Sequence, residues 1–157
     1  MAIINRNQQF FNIILAIVVT SLVFLGLRFY RDRFSSSFRE INIENILKEL
    51  AEVMNSKTPY VIEGQVVLKR VYFIEGERTI VHEYMLLNYG KDDFDLQELK
   101  DYVSVSLIAE TETAAELAML MDQNVIFEYI YFDNQKVEMF RIRLLLNTPI
   151  TIIENAP

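Results

Sequence analysis

Between Asn7 and Leu27 the chain carries no charged side chain. From Phe10 to Leu27 only Asn12, Thr20, Ser21 and Gly26 interrupt an apolar run. At about 1.5 Å of rise per residue, such a run makes a helix of roughly 27 Å, close to the ~30 Å hydrocarbon core of a bilayer. A small domain has no interior that would hide a helix apolar on every face. The run is also longer than the roughly 7–15 apolar residues of a signal peptide. Arg28-Phe29-Tyr30-Arg31-Asp32-Arg33 follows it in place of a small-residue cleavage site. The pattern predicts an uncleaved transmembrane anchor over 10–28, with a tail at 1–9 and a basic, Ser-containing linker at 29–40. Phe29 and Tyr30 suit the interface, where Arg28 can extend its guanidinium to the headgroups.

Charge divides the chain at the same place. Residues 1–40 hold Arg6, Arg28, Arg31, Arg33 and Arg39 against Asp32 and Glu40, a net +3. The remaining residues carry −10, within a total of −7. An acidic domain repels phosphate backbones, which argues against nucleic acid as a partner. The absence of cysteine excludes a disulfide scaffold, a zinc finger and a thiol enzyme. A single histidine excludes a multi-histidine metal site within one chain, and four glycines leave no glycine-rich phosphate loop. No cofactor and no metal is expected.

Beyond the linker the periodicity predicts an α+β domain over 41–148, with a tail at 149–157. Ile43, Ile46, Leu47, Leu50, Val53 and Met54 define one helical face, capped by Asn42 and stopped by Asn55 and Thr58-Pro59. Val66–Ile74 and Arg78–Tyr89, joined through Glu75-Gly76-Glu77, read as a β-hairpin. Asp95 and Glu98 form a capping box, with Phe94 and Leu99 as its hydrophobic staple. Leu96, Leu99, Val103 and Leu107 supply the stripe of that second helix. A further capping signal at Thr113 predicts that it splits, with a short helix reaching Met121. Val125–Phe132 and Val137–Leu146 form a second hairpin, ended by Pro149. The expected architecture is two amphipathic helices, the second split, on one face of an antiparallel sheet of two hairpins. Residues 150–157 either add an edge strand or hang free.

No constellation for catalysis emerges. His82 shares a strand face with Tyr84 and has no nucleophile or second acid assigned to it. The densest carboxylates, Asp92-Asp93-x-Asp95 and Glu110-x-Glu112, read as acids at loop and helix starts. An EF-hand is excluded because Phe94 and Leu96 fall where that loop needs polar residues and a turn. The aromatic hairpins suggest an interaction face formed by Tyr72, Tyr84, Tyr129 and Tyr131, because tyrosine is enriched at interfaces. The competing reading is cross-strand packing of the same side chains.

Asn55-x-x-x-Pro59-x-x-Ile62-Glu63-x-x-Val66-x-Leu68-x-x-Val71 and Tyr129-Ile130-Tyr131-Phe132-Asp133 resemble the motifs of a group of small bacterial envelope proteins. Those proteins carry a lipoprotein signal or membrane anchor before a helix–hairpin–helix–hairpin domain. This chain departs from their pattern at His82, where Tyr is usual, and at Lys136, where Gly is common. It also lacks the pair of cysteines many of them have. The resemblance covers about 43–145, brings no catalytic residue, and implies export.

Together these readings predict a non-enzymatic, membrane-anchored interaction domain of the cell envelope. Its setting would be an accessory subunit of an envelope complex or an immunity-type protein. It would be single-pass in the bacterial inner membrane with a periplasmic domain, partnered by the membrane and by another protein or a second copy of the chain. The alternative is a cytoplasm-facing single-pass subunit, favoured by Arg28, Arg31, Arg33 and Arg39 after the span.

Overall fold

The computed structural model describes residues 42–62 and 65–153. The expected anchor at 10–28 and the linker after it lie outside the described residues. Among the described residues no helix is long and apolar enough to cross a membrane.

The first helix, α1, spans Ile43–Asn55. The Asn42 side chain caps it by accepting the Glu44 N–H at 3.0 Å. Ile46, Leu47, Leu50, Ala51 and Met54 form its buried stripe. Six strands follow in two sets: β1 (Tyr60–Ile62), β2 (Val66–Ile74) and β3 (Thr79–Leu86), then β4 (Ile126–Phe132), β5 (Glu138–Leu145) and β6 (Thr151–Ile152). Helix α2, Leu96–Thr113, lies between the sets, with single 3₁₀ segments at Lys91–Asp93 and Ala115–Leu120.

The strands form one sheet in chain order, β1 to β6. Both expected hairpins are present, but the sheet is not antiparallel throughout. Thr79–Met85 of β3 pairs with Ile126–Phe132 of β4 in parallel. The cause is the long segment between the hairpins. A helix leaving the end of one strand and returning to the start of the next carries the chain back along the sheet, and the strands then run the same way. The 150–157 tail contributes an edge strand, as Leu144 and Leu145 pair with Ile152 and Thr151.

Alternation on β2 breaks once. Val66 and Leu68 are two apart, but the next buried position is Val71. A bulge lies there: Leu68 faces Tyr84 and Arg70 faces Glu83, leaving Lys69 as the extra residue. The bulge returns Val71 to the core face and turns Lys69 and Arg70 to the other side. A second irregularity, between Tyr131↔Phe140 and Phe132↔Glu138, places Met139 and Phe140 together in the core.

The core lies between the helices and one face of the sheet. Leu47 and Leu50 of α1, Val103 and Leu107 of α2, and Val71, Ile80, Tyr129 and Leu144 of the strands belong to one buried cluster. Helix α2 begins as expected: Asp95 Oδ1 accepts the Gln97 and Glu98 N–H groups at 3.0 and 3.1 Å. The expected break falls at Thr113, where the α-helix ends and a short helical segment, of 3₁₀ type, follows to Leu120. The Thr113 hydroxyl donates backwards to the Ala109 and Glu110 carbonyls, and the chain then tightens into the 3₁₀ segment. Glu110 therefore lies in the last turn of a helix and not at a helix start.

Candidate interaction face

The structure divides the four tyrosines. Tyr84, Tyr129 and Tyr131 are each 1% exposed, under the helices. Tyr72 is on the opposite face of the sheet, half-buried. Period two places residues on a common face, and cross-strand register then builds the aromatic layer. His82 and Tyr129 are partners in the β3–β4 ladder and stack at 5.0 Å. Tyr84 and Tyr131 stack at 5.3 Å, and Tyr131 and Phe140 at 4.8 Å. Such pairs contribute about 0.5–1.5 kcal/mol each beyond their burial. The four tyrosines thus do not make one surface.

This aromatic layer holds an unusual set of polar groups. Burial raises the hydroxyl pKa of Tyr84, Tyr129 and Tyr131. Burial also brings the Glu110 carboxyl, beside them electrostatically, up to about 7. The buried His82 ring is pushed down to about 4, offset only in part by its hydrogen bond to the Glu128 carbonyl. Among the described residues, Tyr129 Oη, Tyr131 Oη, Glu110 Oε2 and His82 Nδ1 have no hydrogen-bond partner. No group of three or more His, Cys, Asp and Glu residues, among those described, gathers to hold a metal ion.

The second face of the sheet is built differently. Val67, Val81 and Ile130 are buried but stand outside the core cluster. Val67 is in register with Met85, Val81 with Tyr72 and Glu128, and Ile130 with Glu83 and Arg141. Arg70 bonds Glu83 at 2.7 Å. Arg141 bonds Glu128 at 2.8 Å and also Glu138, and Arg143 approaches Glu128 at 3.3 Å. The Arg70 guanidinium lies 4.5 Å from the Tyr72 ring centre, and Lys69 Nζ lies 4.7 Å from that of Phe132. Burial and the neighbouring Glu83 raise the Tyr72 hydroxyl pKa. The hydrogen bond from Arg141 lowers that of Glu138. Basic side chains can lie along apolar neighbours while their charged ends find carboxylates. The result is an ion-paired face with Tyr72 and the side chain of Arg70, 57% exposed, at its surface. The bulge puts Lys69 and Arg70 there, and its signal was the three-residue step from Leu68 to Val71.

Asn55 and Asp133 hold the frame through backbone N–H groups. Asn55 Oδ1 accepts the Val71 N–H at 3.0 Å. Asp133 accepts the Gln135 and Val137 N–H groups at 2.9 and 2.8 Å and the Lys91 N–H at 3.3 Å. These bonds hold its carboxyl below the ordinary range.

The chain is thus an α+β domain with a central parallel strand pair, helices on one face and ion pairs on the other. It is similar in fold to the crystal structure of a Pseudomonas aeruginosa protein described as secreted. That likeness has a TM-score of 0.54 at 14% identity, covering 69% of this chain and 94% of the other. A pilotin of the Vibrio vulnificus type 2 secretion system is similar at a TM-score of 0.48 and 14% identity, covering 64% and 86%. The second score is too low to carry an argument. No protein-family model and no curated protein matches the sequence.

Proposed function

We propose that the chain is a non-enzymatic, membrane-anchored interaction domain of the bacterial envelope, acting as an accessory subunit of a complex or as an immunity-type protein. The observation that carries this reading is the Arg70–Tyr72 stack on the second sheet face. Arginine and tyrosine are among the side chains enriched where proteins meet, and here Glu83 fixes the arginine before any partner arrives. The uncharged run at 10–27 supports the anchor. A secreted protein of similar fold is in keeping with a domain outside the cytoplasm. The resemblance of the Asn55–Val71 and Tyr129–Asp133 motifs to envelope proteins points the same way.

The test is purification of the full chain from membranes in mild detergent, as the parent and as Arg70→Glu with Tyr72→Ala. A protein that stays with the parent and leaves the variant supports the reading. No retained protein, or turnover of a substrate lost on changing a single carboxylate, refutes it. The arginines at 28, 31, 33 and 39 favour a second reading, with the domain in the cytoplasm. Paired reporters fused after Pro157, one active outside the membrane and one fluorescent inside, decide between them.

A further inference from the structure

Helix α2 has apolar side chains on two opposite faces. Leu99, Val103 and Leu107 are buried beneath it. On the outside, Tyr102 and Val105 are 39% and 69% exposed, and Ala109 is exposed with them. Glu98, Tyr102, Val105, Ala109 and Glu112 follow at alternating steps of four and three, a straight stripe along the helix. Acids close both ends, with Glu98 and Asp101 at one and Glu112 at the other. Asp101 accepts a hydrogen bond from Gln97. None of the three acids pairs with a cation among the described residues. The sheet face is the opposite case, since Glu83, Glu128 and Glu138 each hold an arginine there.

We infer that this stripe docks an amphipathic helix of a partner protein, one with a short apolar seam flanked by Lys or Arg. The inference rests on the interaction reading above but on a different surface. Tyr102 and Val105 offer the apolar contact, and the small Ala109 lets a second helix come close. Charge selects the occupant. A second copy laid on the stripe sets Glu98 against Glu98 when parallel and against Glu112 when antiparallel, so both arrangements repel. A basic helix meets an unpaired acid at each end.

The experiment uses the full chain in nonionic detergent micelles, with empty micelles as the blank. The probes are two labelled helical peptides of about 18 residues. Both carry leucines at heptad spacing, one with lysines flanking the seam and one with glutamates. The lysine peptide should bind, and the glutamate peptide should bind at least about ten-fold more weakly. Val105→Lys should weaken the lysine peptide at least about ten-fold, because a charge of the probe's own sign then enters the seam, with an unchanged thermal melt because Val105 is exposed. Glu98→Gln with Glu112→Gln should narrow the gap between the peptides. Equal affinity for both peptides, no binding of the lysine peptide, or undiminished binding to Val105→Lys overturns the inference. A membrane protein that co-purifies equally with parent and Val105→Lys also sinks the stripe but leaves the interaction reading standing. If nothing co-purifies with the parent, that reading falls, and the peptides still judge the stripe.

Discussion

The Asn55 side chain accepts the backbone N–H of Val71 at 3.0 Å, tying the end of α1 to the strand residue that follows the β2 bulge. Strand β1 pairs only with Val66–Leu68, so it does not reach Val71. Asn55 takes its place. The same oxygen accepts the Thr58 hydroxyl at 3.1 Å.

Asn55→Ala should therefore leave a backbone donor without its partner and cost about 1–2 kcal/mol. Asn55→Asp retains the acceptor and should recover most of that loss. Urea denaturation of the three proteins measures it. An alanine variant as stable as the parent would show that water replaces the bond.

Leu50→Asp should abolish the cooperative melt. Leu50 is 3% exposed in the core under α1, and a carboxylate there costs several kcal/mol or is forced to take a proton. Near-UV circular dichroism during heating reads the outcome, and an unchanged midpoint would mean α1 is not packed on the sheet.

Lys136 has φ +65° in the turn between β4 and β5, a conformation costing an L residue about 1 kcal/mol. Lys136→Gly should stabilise the protein by up to about 1 kcal/mol, while Lys136→Val should destabilise it. Equal midpoints for all three would show that the turn relaxes freely.

Two buried groups give stability opposite dependences on pH. The folded-state pKa of His82 is lowered to about 4. Its contribution is intact above the unfolded value of ~6.5 and is lost as pH falls toward 4, about 3 kcal/mol in all. Glu110 is raised to about 7, so its penalty is absent at low pH and grows as pH rises from its unfolded value toward 7. Because Glu110 is only partly buried, solvent screens the charge and the penalty is on the order of 1 kcal/mol. Glu110→Gln should match the parent near pH 4 and exceed it above pH 7. A constant difference across that range would refute the assignment to Glu110.

The elements were legible because local signals governed them. Asn42 and Asp95 cap the helices the sequence assigns to them, and both hairpins form. The parallel junction was implied by the helix between the hairpins, yet pattern alone marks strands and not their direction. The tyrosines failed for a related reason. Alternation places Tyr84 opposite Tyr72 only once the β2–β3 register is known, and it does not say which face the helices cover. Glu110 was misplaced because Thr113 looks like a cap but bonds back into its own helix.

The parallel β3–β4 ladder also has a consequence for the order in which the chain can fold. Each hairpin closes from neighbours in sequence, but Thr79 must wait for Ile126 before the centre of the sheet can join. During synthesis the first hairpin is complete while the inner edge of β3 still has open backbone donors and acceptors, a template on which another nascent chain could add a strand. Helix α2 emerges in that interval, before β4. The window for misassembly on the ribosome is therefore set by the time needed to make residues 87 to 132.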